Sequence, residues 1–203
     1  MIIRKKFDFE ASHIVRNCHS ERCKYSIHGH SFELELFLTA NRLDNGQMIY
    51  DFGLLKQYVK MIIDSFDHSF LIWNADSPSY QKAASQFSAR LVTLPFSPSA
   101  EMLSLFFLKV FTRLFTLTHY TNNETNVIVS SVRLHETKSG YAESFAADLL
   151  NQNFPQIPLD EIIFSKAIIL DWHNDKIWMQ LVDGSLKVKY KEPEQQVALT
   201  NKV

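Results

Sequence analysis

Apolar and polar residues alternate in two stretches near the start of the chain, residues 5–13 and residues 30–38. Alternation with a period of two is typical of a β-strand that buries one face and exposes the other. We therefore predict two strands, and the polar residues 16–27 between them predict a loop. The apolar positions that share a face are Phe7, Phe9 and Ala11 in the first strand, and Phe32, Leu34, Leu36 and Leu38 in the second.

Two later stretches carry apolar residues at spacings of three and four, the period of an amphipathic helix. Residues 52–66 form the first, and Asp51 is a suitable N-cap for it. Residues 98–118 form the second, with Ser97 as the expected cap and Pro98 at the first helical position. The sequence thus predicts two helices after the first two strands.

Two more strand-like stretches, 127–136 and 141–147, follow the second predicted helix and are joined by a short loop. The predicted order is strand, strand, helix, helix, strand, strand. Sequential strands with short connections favour antiparallel pairing, and both helices then stack on one face of the sheet. The expected fold class is α+β, with a four-stranded antiparallel sheet in a domain at residues 1–150.

The character of the chain changes after about residue 150. Residues 151–158 contain two prolines and are interpreted as a linker. Three short stretches at 167–172, 176–182 and 186–190 are separated by turn residues, which favours short strands. We therefore predict that residues 151–203 are a linker and a small β-rich extension of unknown role.

Composition and charge narrow the class of protein. The chain has 203 residues, 16 of them Phe, and a formal net charge of −1. A bulky aromatic core is expected, and neither nucleic acid nor an anionic membrane is an expected partner. There is no run of about 18 apolar residues, as a membrane span requires, and the first residues lack the apolar run of a signal peptide. The two cysteines, Cys18 and Cys23, fit free thiols better than a disulfide, so we expect a cytoplasmic protein.

Three histidines lie where the first two predicted strands meet the loop. His28 and His30 are two residues apart, so their side chains point to the same side of a strand. His13 ends the preceding strand, and antiparallel pairing through the loop would bring it close to both. Three converging imidazoles are the ligand set of a catalytic zinc site, which keeps its fourth position open. The alternatives are separate strand-end histidines, and a structural zinc site made of Cys18, Cys23, His28 and His30.

Five further side chains could take part in chemistry. Cys23 is either an inert buried thiol or, beside a metal and histidines, a base or nucleophile. Asp67 can orient the imidazole of His68 for acid–base work, although a solvated helix end accounts for the pair equally well. Glu101 lies in the first turn of the second helix, where the helix dipole favours a carboxylate. Glu136 shares a predicted strand face with apolar residues, and its carboxylate suits the 2-amino-4-oxo edge of a guanine or pterin ring.

Taken together, these residues resemble the 6-pyruvoyl-tetrahydropterin synthase / 6-carboxytetrahydropterin synthase family. Six segments occur in the family's order across residues 1–150, and six weak motifs in register make a specific match. The segments are Phe9-Glu10-Ala11-Ser12-His13, Cys23 ahead of His28-Gly29-His30-Ser31-Phe32, Met48-Ile49-Tyr50-Asp51-Phe52, Phe66-Asp67-His68, Pro98-Ser99-Ala100-Glu101, and Val132-Arg133-Leu134-His135-Glu136-Thr137.

The resemblance implies a tunnelling fold (T-fold), whose subunits join sheet edges into a barrel as trimers that stack into hexamers. It implies Zn2+ as the cofactor and a pterin as the small-molecule substrate. The resemblance implies that His13, His28 and His30 are the zinc ligands. It implies that Cys23 is the proton-abstracting thiolate and that Asp67 and His68 are its relay partners. It also implies that Glu136 anchors the pterin and that Glu101 binds the substrate.

The implied reaction is the zinc-dependent conversion of 7,8-dihydroneopterin triphosphate to 6-carboxytetrahydropterin, with release of acetaldehyde and triphosphate, in queuosine precursor synthesis. One alternative is a 6-pyruvoyl-tetrahydropterin synthase, which only eliminates triphosphate. Four residues separate Cys23 from His28, a spacing typical of neither branch, and it leaves open whether Cys18 could replace Cys23. A non-catalytic zinc- or pterin-binding module is the alternative from another class.

Overall fold

Strands and helices alternate along most of the chain in the computed structural model, which describes residues 1–194. The helices in this range include none long and apolar enough to cross a bilayer. The strands are β1 (Ile2–His13), β2 (His28–Thr39), β3 (Ser69–Trp73), β4 (Leu91–Leu94), β5 (Thr118–His119), β6 (Ile128–Thr137), β7 (Gly140–Phe145), β8 (Ile163–Phe164) and β9 (Val188–Lys189). The α-helices are α1 (Glu21–Tyr25), α2 (Tyr58–Asp64), α3 (Pro78–Phe87), α4 (Ala100–Thr116), α5 (Lys166–Ile169) and α6 (Ile177–Asp183). Short 3-10 helices lie at Leu54–Lys56, Ala146–Leu150 and Leu159–Glu161.

The two longest strands, β1 and β2, pair antiparallel along their whole length, from Ile2 opposite Thr39 to His13 opposite His28. Residues directly opposite each other in an antiparallel pair point to the same face. The apolar positions of both strands therefore form one buried face, and most of the charged positions lie on the other. The two predicted N-terminal strands are confirmed, and each is longer than its alternation indicated.

Seven strands form one sheet in the order β7-β6-β2-β1-β3-β4-β8. The four from β7 to β1 are antiparallel neighbours, which confirms the predicted four-stranded arrangement. On the other side, β3 and β4 continue the sheet in parallel, and β8 adds to it antiparallel. The sequence pattern did not predict these three extra strands, because a short continuous run such as Ser69–Trp73 carries no period.

Helices α2 and α4 cover the apolar face of the antiparallel strands. The side chain of Ser99 accepts a hydrogen bond from the Met102 amide, so Ser99 rather than the predicted Ser97 is the N-cap of α4. Helix α2 is shorter than the predicted helix over 52–66, because the 3-10 turn at Leu54–Lys56 precedes it. Both predicted helices are nevertheless present, at the expected places in the chain.

Phenylalanines fill the space between the sheet and these helices. Phe9 of β1 stacks on Phe32 of β2 with 5.0 Å between ring centroids, and Phe107 of α4 lies 5.8 Å from Phe9. The ring of Phe32 also lies 5.8 Å from that of His13 and 5.5 Å from that of His30. Such aromatic pairs contribute about 0.5–1.5 kcal/mol each beyond the area they bury. The aromatic core therefore fixes the strand ends that carry the histidines.

The prediction of a β-rich extension after residue 150 is wrong. The predicted strands at 167–172 and 176–182 are the short helices α5 and α6, and only β9 falls within a predicted strand. The buried residues of α6, Ile177 and Leu181, are four apart, which is the helical period. Gly184 ends this helix with a left-handed φ of 86°, where the sequence suggested a strand turn.

The segment from Ile157 to Val188 adds apolar side chains to the same hydrophobic core as the sheet. Lys109 of α4 also donates a hydrogen bond to the carbonyl of Ile157 at 2.7 Å. The α+β class is confirmed. The division of the chain into residues 1–150 and 151–203 stays a prediction, and its last nine residues lie outside the described range.

Candidate metal centre and active site

Three imidazoles meet at the end of the β1–β2 pair. His13 lies directly opposite His28, and His30 lies opposite Ala11 on the same face of the sheet. The ring centroids are 4.6 Å apart for His13 and His28, 5.2 Å for His13 and His30, and 5.1 Å for His28 and His30. Each ring offers one nitrogen, and these nitrogens all lie within 4.8 Å of one another. The three histidines thus form a possible metal site, called the histidine cluster below.

Backbone carbonyls fix which nitrogen faces the centre of the histidine cluster. Nδ1 of His13 donates to the carbonyl oxygen of Pro98 at 2.7 Å, and Nδ1 of His28 donates to that of Ser26 at 3.0 Å. A carbonyl only accepts, so each Nδ1 carries the proton and each Nε2 keeps its lone pair. Nε2 of His13 is buried and has no hydrogen-bond partner among the described residues. A buried acceptor without a partner is costly, and a metal ion is a partner that suits this donor set.

Burial favours the neutral form of two imidazoles in the histidine cluster, His13 and His30. The pKa of His13 is lowered from 6.5 to about 4, chiefly by burial and further by the neighbouring His28 and His30, although the bond to Pro98 opposes the shift. The pKa of His30 is also lowered, again mainly by burial and against the attraction of Glu136. Metal ions bind the neutral ring. Near neutral pH, therefore, no proton has to leave His13 before an ion binds.

Glu136 reaches the histidine cluster from β6. Its Oε1 lies 3.5 Å from Nε2 of His13 and 3.8 Å from Nε2 of His30. The register of β6 with β7 shifts between His135 and Thr137, so Glu136 lies at a bulge, a feature that re-aims a side chain. The side chain is 31% exposed, so that it is open to a bound molecule. Its predicted role as a pterin anchor stays a prediction.

The loop between β1 and β2 folds back beside the histidine cluster and carries both cysteines. The amide of Val15 donates to the carbonyl of Cys23 at 3.0 Å, which places helix α1 next to the end of β1. Cys18 and Cys23 are both half-buried free thiols. Within residues 1–194, neither belongs to a group of side chains spaced to hold a metal. The geometry therefore favours three imidazoles over the structural Cys/His alternative.

Asp67 and His68 form a turn between α2 and β3. Oδ1 of Asp67 accepts a hydrogen bond from the Glu10 amide at 2.8 Å, which ties the turn to β1. The side chain of His68 is 77% exposed, with Nε2 3.8 Å from Oδ2 of Asp67. His68 lines a cleft together with Ser12 and Ser31, and His30 of the histidine cluster lines the same cleft. Among the described residues, no hydrogen bond, ion pair or ring contact joins His68 to that cluster.

Glu101 lies in the first turn of α4 with its side chain exposed. Pro98, three residues earlier, provides the carbonyl that orients His13, so the start of α4 lies beside the histidine cluster. In the described part of the chain, the Glu101 carboxylate makes neither a hydrogen bond nor an ion pair. Its predicted role in substrate binding stays a prediction.

A second group of ligand-type side chains lies on the opposite face of the sheet. Glu33, Glu35 and His135 also bring their ligand atoms within 4.8 Å of one another. The carboxylate of Glu35 is buried, and it pairs with Arg4, with Arg133 at 3.3 Å and with His135 at 3.3 Å. Burial alone would raise the pKa of Glu35, but the hydrogen bond from His135 and the charges of Arg4 and Arg133 outweigh it and lower the pKa. This group, the acidic network, is already neutralised by protein cations.

Two contacts that shape the site were not predicted from the sequence. The carbonyl of Pro98 orients His13, and a backbone group leaves no trace in the residue type. Arg90 donates to the carbonyls of Asp64 and Asp67 at 2.9 Å each, which holds the turn before His68. The Pro98–Glu101 motif did point to the right segment, but nothing in the sequence signalled Arg90.

The topology and the histidine cluster together define a class of protein. Four antiparallel strands, two helices on one face and three imidazoles at the end of the first two strands are the features expected of a T-fold tetrahydropterin synthase. The sequence profile described as 6-pyruvoyl tetrahydropterin synthase matches residues 2–146. The chain belongs to this family, and it is an enzyme of the tetrahydropterin synthase type.

Curated relatives extend the similarity beyond the family profile. A 6-carboxy-5,6,7,8-tetrahydropterin synthase of Helicobacter pylori strain J99 is 43% identical over 183 residues, which covers 90% of this chain and 92% of that protein. A protein of the same name from Rickettsia typhi is 28% identical over 141 residues, which covers 68% of this chain and 96% of that protein.

Solved structures confirm the T-fold. An uncharacterized protein from Wolinella succinogenes superposes with a TM-score of 0.58 at 22% identity, covering 72% of this chain and 98% of its own. The 6-pyruvoyl tetrahydropterin synthase of Plasmodium vivax gives a TM-score of 0.51 at 18% identity, covering 71% of this chain and 97% of its own. At these identities the likeness establishes the fold alone.

Proposed function

We propose that this enzyme converts 7,8-dihydroneopterin triphosphate to 6-carboxytetrahydropterin, with release of acetaldehyde and triphosphate, as a step toward queuosine. The observation that carries the proposal is the histidine cluster, in which burial favours neutral His13 and His30 and the buried Nε2 of His13 has no hydrogen-bond partner among the described residues. The Helicobacter pylori relative, 43% identical over most of the chain, bears the name of the carboxy-forming enzyme. This name favours the carboxy-forming reaction over the elimination of triphosphate alone.

The metal ion is proposed to be Zn2+, held by His13, His28 and His30. Three imidazoles with an open fourth position are typical of catalytic zinc. When bound, zinc supplies Lewis acidity to the hydroxyl groups of the substrate side chain. The carbonyls of Pro98 and Ser26 act as outer partners that keep the ligand nitrogens aimed at the ion.

The remaining residues bind the pterin ring and move protons. The Glu136 carboxylate accepts two hydrogen bonds from the 2-amino-4-oxo edge of the ring, an arrangement that a carboxylate suits. Since Glu136 lies within 4 Å of two ligand nitrogens, a ring held there has its side chain beside the ion. Cys23, on the helix that folds back to β1, accepts the proton from the carbon that joins ring and side chain. Glu101 makes a second contact with the substrate.

Asp67 and His68 complete the proton relay in an oligomer. Within one chain His68 is exposed and makes no described contact with the histidine cluster. Within residues 1–194, strand β7 ends the sheet, and most of β1 has a free edge because only Ala11 and Ser12 pair with β3. Free edges of this kind favour pairing between copies. We propose that they join in a trimer or hexamer, where His68 of one subunit serves the cluster of another.

The direct test compares the two cysteines in otherwise identical variants. Cys23→Ala is expected to lower kcat by about a hundredfold or more, because general acid–base catalysis typically contributes that much. Its metal content should equal that of the wild type, since the histidine ligands remain. Cys18→Ala is the matched control and should keep its activity. Loss of activity in Cys18→Ala alone would assign the base to Cys18 instead.

The reaction itself is tested with 7,8-dihydroneopterin triphosphate and a simultaneous assay for acetaldehyde and triphosphate. Equal amounts of both products support the proposed reaction. Triphosphate without acetaldehyde would show the pyruvoyl-forming elimination. Binding of the pterin with neither product, in a zinc-loaded sample, would show a non-catalytic binding protein.

A further inference from the structure

The turn that carries Asp67 and His68 has an unfavourable backbone conformation. His68 has a φ of 52°, in the left-handed region that residues with a side chain rarely adopt. Within the turn, the amide of Asp67 bonds to the carbonyl of Asp64 at 3.2 Å, and the amide of Ser69 bonds to that of Phe66 at 3.2 Å. Residues in such conformations persist when the surrounding structure holds them. The groups packed against this turn therefore decide where the His68 ring points.

Arg90 is one of these groups. Its Nε donates to the carbonyl of Asp67 and its Nη2 to the carbonyl of Asp64, each at 2.9 Å. The same guanidinium pairs with the Asp171 carboxylate through Nη1 at 2.5 Å. One side chain thus links both ends of the turn to the segment that follows α5.

Trp172 holds the other side of the turn. Its indole Nε1 donates to Oγ of Ser65 at 2.9 Å, two residues before Asp67. The Trp172 ring packs on Phe164 with 5.2 Å between centroids, so the indole is itself fixed in the core. The segment is also anchored next to Arg90, because Oγ of Ser165 donates to the carbonyl of Ala89 at 2.8 Å.

These contacts enclose a groove beside the relay residues. Asp67 and His68 line it from the turn, Arg90 lies on one side, and Asp171 and Trp172 line it from the C-terminal segment. The C-terminal segment after residue 150 therefore forms one wall of the groove beside the relay turn.

We propose that Arg90, Asp171 and Trp172 are positioning residues that hold His68 in its working orientation. This inference rests on the proposed function in one respect, the role of His68 as a proton carrier. The C-terminal segment then contributes to catalysis without contacting the substrate. Loosening the turn lowers kcat while KM and zinc content stay unchanged, because the side-chain bonds of Arg90, Asp171 and Trp172 in the described structure go to the turn or to each other and not to Glu136 or the histidine cluster.

The chain offers a matched pair of variants for the test. Trp172 and Trp178 lie in the same segment, and their rings pack on Phe164 with centroids 5.2 Å and 5.0 Å away. Each donates one indole hydrogen bond, Trp172 to Ser65 and Trp178 to the carbonyl of Leu159. Replacing either by Phe removes one such bond, but only Trp172→Phe releases the turn. Ser65→Ala removes the same bond from the other partner and serves if Trp172→Phe does not fold.

Two readouts separate this inference from the proposed function. Hydrogen exchange of residues 65–69 should speed up in Trp172→Phe and not in Trp178→Phe, whatever reaction the enzyme catalyses. In turnover, Trp172→Phe should lower kcat about five- to tenfold at constant KM, the factor expected for one lost hydrogen bond. In a His68→Ala background the same change should have no further effect on kcat, since the residue acts through His68.

The outcomes are distinct. If hydrogen exchange is faster in Trp172→Phe but the wild type forms neither product, the positioning role of Trp172 is supported and the proposed function is rejected. Unchanged exchange, or a kcat loss that persists in the His68→Ala background, would overturn the inference while an active wild type retains the function.

Discussion

Among the described residues, two groups of three ligand-type side chains lie on opposite faces of the same sheet, and only one has the properties of a metal site. The histidine cluster and the acidic network both bring three ligand atoms within 4.8 Å. In the first, burial favours neutral His13 and His30, and Nε2 of His13 has no hydrogen-bond partner among the described residues. In the second, Arg4 and Arg133 already occupy the carboxylate of Glu35. In both groups the ligand atoms are close enough to share an ion, and the groups differ in whether protein cations already pair with the ligands.

The difference follows from what each face of the sheet packs against. The histidine cluster lies on the face that the aromatic core and the start of α4 cover, where burial favours neutral His13 and His30 even though the Glu136 carboxylate lies within 4 Å of both. The acidic network lies on the face where arginines and glutamates of β1, β2, β6 and β7 alternate. A divalent ion there would have to displace guanidinium groups that already satisfy the carboxylates.

The largest expected effect comes from removing one ligand of the histidine cluster. His13→Ala should weaken zinc binding by more than the roughly 10- to 100-fold that loss of an outer-shell partner costs. Glu35→Gln, the matched change in the acidic network, should leave zinc affinity as it is. Competition against a chromophoric chelator measures both. Zinc loss in Glu35→Gln with retention in His13→Ala would reverse the assignment.

The next effect is the dependence of stability on pH in the metal-free protein. The pKa of His13 is lowered to about 4 in the folded state, so between pH 6.5 and 4 the unfolded chain binds a proton that the folded protein does not. Stability therefore falls as the pH falls through this window, by about 3 kcal/mol in total. Urea unfolding at pH 7 and pH 4 should show a loss in the wild type that is smaller by about 3 kcal/mol in His13→Gln, where the lowered pKa of His30 still contributes. Equal losses in both proteins would contradict the burial of a neutral His13.

The acidic network should respond in a lower pH window. Because the pKa of Glu35 is lowered in the folded state, its contribution is present above pH 4.5 and disappears as the pH falls below that value. Glu35→Gln at neutral pH should cost about 1–3 kcal/mol, since it leaves guanidinium groups without their buried partner. Thermal or urea unfolding at pH 7 checks the size. A neutral or stabilising effect would mean that the network does not need its central charge.

The smallest effect should come from the exposed edge of the same network. Lys6 pairs with Glu33, and the two side chains are 41% and 32% exposed. Such pairs are screened by solvent, so Lys6→Met should change stability by less than about 0.5 kcal/mol. Urea unfolding beside Glu35→Gln tests this. If Lys6→Met lowers the free energy of unfolding as much as Glu35→Gln does, then solvent exposure does not make the Lys6–Glu33 pair weaker than the pairs of Glu35.

Local periodicity was sufficient to predict the pair of strands on which the histidines lie. His28 and His30 share a face because they are two residues apart, and one antiparallel turn places His13 opposite His28. The helical C-terminal segment was not predicted, because stretches of four to seven residues fit either period. Contacts between distant parts of the chain could not be predicted from the sequence either. Arg133 and Glu35 are 98 residues apart, and their pairing depends on the register of β6 against β2.

The orientation of the side chains in the site could not be predicted from the sequence. The Pro98 carbonyl that sets the tautomer of His13 is a backbone group, and the fold alone decides where it points. For His68, the sequence predicted that Asp67 orients the ring, but it did not predict the other residues that hold this turn. Arg90 and the C-terminal segment act on the turn through backbone carbonyls, which residue types do not reveal.

The most direct measurement is the zinc K-edge X-ray absorption spectrum of the zinc-loaded enzyme, which reports the atoms bound to the ion. We expect a first shell of nitrogen and oxygen only, at about 2.0–2.1 Å, with the outer-shell features of three imidazoles. A sulfur scatterer at about 2.3 Å would place Cys18 or Cys23 on the ion, and a shell without imidazole would remove the histidine cluster from the site; either result contradicts the account.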